Sequence, residues 1–135
     1  MFGPVRGQWG DTDWRGWWGE EPGFKHPVFI LTHYPREAID FGNGTIFNFV
    51  TGGVNEACER AMAAAGEKVI RVGGGAQVLQ QFLEASILDE LHLAISPVNL
   101  GSGEKLFTNP DAQLKSYRAA ESAFTGVEHK TYFKI

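Results

Sequence analysis

The chain has 135 residues and a formal net charge of −4, with 21% charged and 43% hydrophobic residues, which is typical of one folded domain rather than a disordered chain. This acidic balance, with no run of more than two basic residues, argues against a surface for nucleic acid or an anionic membrane. No apolar run approaches the roughly 20 residues of a membrane span, and the N-terminus lacks a signal-peptide pattern, so we expect a cytoplasmic protein.

Residues 1–27 are rich in Gly, Pro and Trp and show no sustained hydrophobic period. The segment DTDWRGWW fits a short helical turn in which Asp11 or Thr12 is the cap. We expect its tryptophans to cover the hydrophobic core, because Trp is mostly buried in folded domains, and a substrate-stacking surface is the alternative. These tryptophans are Trp14, Trp17 and Trp18.

Two strands are predicted next. The apolar run Val28–Leu31 is unbroken, which is typical of a strand that is covered on both faces. The run Ile46–Val50 follows a Gly-Asn-Gly turn and places Asn48 on the face opposite Phe47 and Phe49. This second pattern predicts a partly exposed strand near a sheet edge.

Helical spacing begins at Val54, where apolar residues recur every three or four positions as far as Ala65. Gly66 stands where a C-terminal cap belongs. Cys58 lies inside the apolar stripe, so we expect a buried, unreactive thiol. As the only cysteine, it provides neither a disulfide nor a metal-binding set, and we expect a reducing compartment and no metal site.

The second half of the chain repeats the alternation of strand and helix. Lys68–Val72 predicts a short buried strand, and apolar residues from Val78 to Leu83 predict a helix that begins near Ala76. ELHLAISPV predicts another strand, and SYRAAESAF, Gly126 and VEHKTYFKI predict an antiparallel hairpin. The order of elements predicts a single α/β domain over residues 1–135, with a mostly parallel sheet and an antiparallel edge.

Three consecutive glycines, Gly73–Gly75, fall between the predicted strand and the second helix. Ligands bind at the carboxyl ends of strands in open α/β sheets, and a helix start offers free N–H groups and about half a positive charge. Glycines let phosphate oxygens approach the backbone closely, and the expected donors are the amides of Gly75, Ala76, Gln77 and Val78. The G-x-G-x-x-G fingerprint is absent, so a purely structural tight turn is the alternative.

These motifs lie in VIRVGGGAQVLQQFLEASILDELHLAISPVNLGSGEKLF, which resembles the C-terminal half of the dihydrofolate reductase-like superfamily. The closest branch contains the reductase domain of bacterial riboflavin biosynthesis. The shared pattern is an apolar strand, a glycine turn, a helix leading to an apolar-D-E-apolar strand, a proline and an L-G-x-G-x-x-L-F loop. VFILTHYPRE resembles an earlier strand of the family, so the likeness covers residues 26–135. It implies a three-layer fold with a mostly parallel central sheet and an antiparallel C-terminal hairpin.

The resemblance also implies an NADPH site in two parts. The first part would hold the pyrophosphate, next to a cis peptide between the first two glycines, and consists of Gly73, Gly74, Gly75, Ala76, Gln77 and Val78. The second part would line the adenosine and its 2′-phosphate and consists of Leu31, Thr32, His33 and Arg36. For His33 a solvated residue before a turn is the alternative. The other histidines, His26, His92 and His129, are expected to be sheet or surface residues rather than catalysts.

The activity that the resemblance implies is NADPH-dependent reduction of a small heterocycle, of the pteridine or aminopyrimidine class, with a homodimer as a further expected partner. Two alternatives stay open: a non-catalytic NADP(H)-binding protein, and an inactive truncated chain that oligomerises through its sheet.

The sequence departs from the family pattern in two places. Ala76 stands where classical dihydrofolate reductases often have a basic residue. The sequence also starts inside a family motif, so we expect the family's first strands and acidic substrate-contacting residue to be missing, and we assign no catalytic residue.

Overall fold

A computed structural model of the chain describes residues 2–3, 7–10, 13–120 and 126–135, and residues 123–124 by their backbone. The chain divides into two compact units, Met1–Gly73 and Gly74–Ile135, and each unit contains its own small sheet. Among the described residues, no helix is both long enough and apolar enough to cross a membrane.

The first unit contains a three-stranded sheet. Its strands are β1 (Pro27–Leu31), β2 (Ile39–Asp40) and β3 (Ile46–Val50), in the order β1-β3-β2. β1 and β3 pair in parallel, with Val28 opposite Phe47, and β2 pairs antiparallel to β3. Both strands that were predicted for this region are therefore confirmed.

The predicted places of these two strands in the sheet are wrong. β3 is the central strand and buries Phe47, Phe49 and Val50, whereas β1 is an edge strand whose apolar residues are only half-buried. Alternation along a strand shows which side chains share a face. It does not show which backbone lies beside the strand, and that pairing decides its place in the sheet.

The core of the first unit is an aromatic cluster that joins the N-terminal segment to the sheet. Its buried members are Phe2, Ile39, Phe47 and Phe49. The Phe2 ring meets Phe47 and Phe49 edge-on, with centroid distances of 5.7 Å and 5.0 Å. Trp9 packs against the same cluster. Edge-on aromatic pairs add about 0.5–1.5 kcal/mol each beyond the area that they bury, so these contacts hold Phe2 against β3.

The tryptophans behave only partly as predicted. Trp14 packs against the aromatic cluster and donates its indole N–H to the Phe2 carbonyl at 2.9 Å. Trp17 and Trp18, in contrast, are 64% and 48% exposed. The described residues from position 13 onward form turns rather than a helix, and the predicted caps Asp11 and Thr12 lie outside the described residues.

The predicted first helix is confirmed as α1 (Gly53–Ala65), which packs against β1 and β3. Gly66 ends it with a φ of 61° and donates its N–H to the Met62 carbonyl. Cys58 was expected to be buried, but it is half-buried, and its Sγ lies 3.9 Å from the exposed Met62 Sδ. Within the helix only Ala57 is fully buried.

The strand predicted at Lys68–Val72 is absent from the structure, in which residues 67–75 form no regular element. Val69 is 96% exposed there. A short apolar run becomes a strand only when a neighbouring backbone completes its hydrogen bonds, and none of the described strands pairs with this one. The peptide between Gly73 and Gly74 is trans, since no cis peptide occurs in the described part of the chain, so the expected cis bond is also wrong.

In its described part, the second unit contains two helices and an antiparallel sheet. Its elements are α2 (Ala76–Glu84), β4 (Glu90–Ile95), α3 (Pro110–Gln113), β5 (Tyr117–Ala119), β6 (Ala123–Phe124) and β7 (Glu128–Lys134). The strand order is β4-β7-β5, with β6 also beside β7, and every pairing is antiparallel. The predicted helix, strand and hairpin are confirmed. Of the pairings that the structure describes, only that of β1 with β3 is parallel.

The C-terminal end of α2 is closed by a residue in the left-handed region. Ser86 has a φ of 56° and donates its N–H to Leu83, and the N–H of Ile87 reaches the Phe82 carbonyl at 3.3 Å. These two bonds form a Schellman motif, in which glycine is the usual residue at this position. Lys134 of β7 donates to the Ser86 carbonyl at 2.6 Å, which ties the helix end to the sheet.

Candidate functional site

The start of α2 presents unbonded main-chain amides. Gly75 is the N-cap and carries no side chain that could bond them. The first helical bond runs from the Leu79 N–H to the Gly75 carbonyl at 3.3 Å. The N–H groups of Ala76, Gln77 and Val78 precede that bond, and none of the hydrogen bonds among the described residues uses them. An anionic group at this helix start would meet several donors and a partial positive charge.

The glycines before α2 differ in what surrounds them. A Cβ placed on Gly74 would lie 3.0 Å from the Val78 Cβ, so a side chain there would fit only if Val78 moved by a few tenths of an ångström. A Cβ placed on Gly75 would meet nothing within 4 Å, and the Gly75 φ of −77° is open to any residue. Protein packing therefore explains the glycine at 74 and leaves the glycine at 75 unexplained. Space beside Gly75 is what a ligand approaching the amides would need.

Two glutamines of α2 hold the neighbouring loop. Gln80 donates its side-chain amide to the carbonyls of Lys105, at 2.8 Å, and Leu106, at 3.2 Å. The Gln77 side-chain Nε2 donates to the Glu104 carboxylate at 3.4 Å. The L-G-x-G-x-x-L-F loop thus lies beside the helix start. The sequence analysis missed Gln80, although Gln77 and Gln80 share a helix face by their spacing.

The end of β1 contributes the other predicted residues. Leu31 pairs with Val50, and the next amide, that of Thr32, donates to the Val50 carbonyl at 3.0 Å. The Thr32 hydroxyl accepts the Tyr34 N–H at 3.2 Å, which turns the chain and leaves the hydroxyl proton available as a donor. His33 is exposed at this turn.

Arg36 stacks on the aromatic cluster. Its guanidinium carbon lies 5.5 Å from the Phe2 ring centroid, 5.1 Å from that of Trp9 and 5.4 Å from that of Phe49. Such cation–π contacts hold the guanidinium against the aromatic cluster. Trp9 adds a further restraint, because its indole N–H donates to the Tyr34 carbonyl at 3.0 Å.

A groove of about 610 Å³ opens beside Arg36 in the first unit. Arg15, whose guanidinium carbon lies 4.6 Å from the Phe41 ring centroid, supplies a second cation, and Glu37 and Asp40 supply two carboxylates. The formal charges of these four side chains balance. The groove is lined by Trp9, Arg15, Pro35, Arg36, Glu37, Ala38, Ile39 and Asp40. The sequence analysis missed Trp9 and Arg15, which lie in a segment without periodicity.

The predicted residues therefore fall into two local groups. Leu31, Thr32 and His33 follow one another at the end of β1, and Arg36 lies three residues further on. The residues from Gly74 to Val78 surround the start of α2, and Gly73 belongs to the first unit.

The family of the chain is decided by a comparison with protein-family models. The model described as the RibD C-terminal domain matches residues 12–129. The chain belongs to the RibD C-terminal domain family. This membership confirms the resemblance to the riboflavin-biosynthesis reductases and, through them, to the dihydrofolate reductase-like superfamily. A search of curated proteins found no match.

This RibD C-terminal domain has the mixed α/β composition that the family leads one to expect, with helices and strands in both units. The family generally binds NADPH. The residues present fit a dinucleotide at one observed place, since the start of α2 offers unbonded amides and open space beside Gly75. Because position 76 is alanine, the start of α2 offers main-chain amides and no cationic side chain at that position.

Proposed function

We propose that this RibD C-terminal domain binds NADPH and takes part in the reduction of a C=N or C=O bond in a small heterocycle of the pteridine or aminopyrimidine class. Family membership supports a reductase-like role in riboflavin biosynthesis. The observation that carries the cofactor assignment is the bare start of α2, where Gly75 leaves the amides of Ala76, Gln77 and Val78 accessible. NADPH would supply the hydride, and the protein would supply binding and orientation.

In this proposal the two local groups hold different parts of the cofactor. The turn Gly73–Gly75 and the first residues of α2 bind the pyrophosphate through main-chain N–H groups. Leu31, Thr32, His33 and Arg36 contact the adenosine and its 2′-phosphate, with Thr32 donating from its hydroxyl and Arg36 supplying positive charge. The proposal also takes residues 1–135 as a single dihydrofolate reductase-like domain.

The cofactor assignment is tested by titrating the chain with NADPH while nicotinamide fluorescence is followed. Gly75→Val fills the open space without straining the backbone, so we expect an affinity loss of about 10- to 100-fold, the equivalent of one or two charge-assisted hydrogen bonds. Gly74→Val is less informative, because its side chain would meet Val78 in the free protein.

The matched control is Gly23→Val, since a Cβ at Gly23 also meets nothing within 4 Å and its φ is not in the left-handed region. This control should bind NADPH as the unmodified chain does. Equal affinities in the Gly75 and Gly23 variants would contradict the pyrophosphate site.

Catalysis needs a separate measurement, because NADPH binding alone also fits a non-catalytic binding protein. NADPH oxidation followed at 340 nm with a panel of pterins and aminopyrimidines should show turnover with at least one of them. Binding without turnover across the panel would favour the non-catalytic alternative. The absence of binding, together with self-association in sedimentation velocity, would favour an oligomerising chain. A homodimer that turns over substrate would agree with the reductase proposal.

A further inference from the structure

Two histidines meet on the second unit, away from the start of α2. His92 lies on β4 and His129 on β7, and the strands pair so that His92 faces Thr131 and Ala94 faces His129. Side chains two residues apart share a face, so the histidines are diagonal neighbours on one face of the sheet. His92 Nε2 and His129 Nδ1 lie at a hydrogen-bond distance of 3.0 Å, which a metal ion bound to both nitrogens would replace, and the ring planes are inclined by only 24°.

The two histidines differ in exposure. His92 is exposed and His129 is half-buried. Glu90 lies on the same face of β4 as His92 and pairs with Phe133 of β7. Arg118 of β5 pairs with Phe133 from the other side, and its guanidinium carbon lies 5.4 Å from the Phe133 ring centroid. The ion pair of Lys130 and Glu128, at 3.2 Å, involves the two residues that flank His129. The charges near the pair are therefore of both signs.

The separation of the nitrogens fits a shared metal ion. Imidazole nitrogens bind first-row divalent ions at about 2.0–2.1 Å, and two of them at about 90° around one ion lie about 3 Å apart. That angle belongs to square-planar or tetragonal coordination, which is typical of Cu(II) and Ni(II). A tetrahedral zinc ion would need a larger separation.

We propose that His92 and His129 form a binding site for Cu(II) or Ni(II), in which the ion links β4 to β7. His92 binds through Nε2 and His129 through Nδ1, so each ring carries its proton on the other nitrogen. Among the described residues no group of three or more His, Cys, Asp or Glu side chains is placed to hold a metal, so water completes the coordination. This inference is independent of the NADPH proposal.

Cu(II) titration of the full chain, followed by calorimetry and by electron paramagnetic resonance, tests the site. We expect one ion per chain and a spectrum that shows two coupled imidazole nitrogens. His92→Gln and His129→Gln should each lower the affinity at least 10-fold, and acidification should release the ion because the ligands must be unprotonated. Ni(II) should bind at the same site more weakly than Cu(II).

The chain provides its own control in His26→Gln, which removes an exposed histidine of the first unit and should leave the affinity unchanged. Far-UV circular dichroism checks that each variant keeps its sheet. If His129→Gln fails to fold, His92→Gln carries the test, because its side chain is exposed. Undiminished Cu(II) binding by His92→Gln, or a spectrum with fewer than two imidazole nitrogens, would overturn the proposal.

Discussion

The start of α2 and the end of β1 are the two regions to which the cofactor proposal assigns binding residues, and they are built in opposite ways. At α2 the donors are main-chain amides that are free because a helix has just begun and the cap is glycine. At β1 the donors are side chains that already have partners: Thr32 accepts from Tyr34, and Arg36 stacks on three rings. Backbone donors follow from local structure, whereas the availability of side-chain donors depends on distant neighbours.

The largest expected effect is on the stability of the first unit, whose core is the aromatic cluster beside β1. Phe47 is 2% exposed and touches several rings, so Phe47→Ala should destabilise the first unit by about 3–5 kcal/mol through a cavity and lost contacts. All four tryptophans lie between residues 9 and 18, so tryptophan fluorescence in a urea titration reports this unit. An unchanged midpoint would show that the cluster is not the core that the structure describes.

A substitution of Arg36 can distinguish its contact with the aromatic rings from its proposed contact with the 2′-phosphate. Replacing it by methionine keeps most of the packing volume but removes the guanidinium, so NADPH should bind about 10-fold more weakly while NADH, which lacks the 2′-phosphate, is unaffected. The measurement is the ratio of the two dissociation constants. Equal weakening of both cofactors would assign Arg36 to the aromatic cluster alone.

Tyr117 tests the second unit. Its hydroxyl donates to the Leu88 carbonyl at 2.8 Å, so Tyr117→Phe should cost about 1–2 kcal/mol at neutral pH, measured by urea unfolding. Burial, with a smaller contribution from Asp89, raises the pKa of Tyr117 above its ordinary value of 10.0. Above pH 10 the unfolded chain therefore loses this proton more readily than the folded one, and the stability from this group falls as the pH rises.

The phenylalanine variant cannot lose that proton, so its stability should fall less steeply above pH 10 than that of the unmodified chain. Unfolding midpoints measured at neutral and alkaline pH check this difference. Parallel losses in the two proteins would mean that other groups control the alkaline transition.

The smallest expected effect is at the far end of α2. Ser86 has a φ of 56°, so Ser86→Gly should relieve strain and raise the stability by about 0.5–1 kcal/mol, seen as a higher Tm. The same change at Ser96, a residue that is not among those with positive φ, should give no gain. A lower Tm for Ser86→Gly would show that the serine side chain matters more than the backbone angle.

Hydrophobic spacing and glycine positions predicted most helices and strands, but they did not predict how the strands pair. The stripe from Val54 to Ala65 and the glycines on either side of the helices predicted α1 and the start of α2, because helix hydrogen bonds and caps lie within a few residues of each other. Lys68–Val72 has a strand-like composition but no partner, and β4 pairs with the distant β7 in the antiparallel sense. Strand pairing joins residues far apart in the chain, and composition carries little information about it.

The amino-acid sequence by itself determined that a helix begins directly after Gly75. The first amides of any helix lack partners within the helix, so the donors of the pyrophosphate proposal also follow from the sequence. The tertiary structure alone decided that Arg36 lies against Phe2, Trp9 and Phe49 and that His92 meets His129 across two strands. Contacts of this kind depend on where separate segments pack. A side chain's partners are therefore set by the whole fold, whereas a helix end is set by its own few residues.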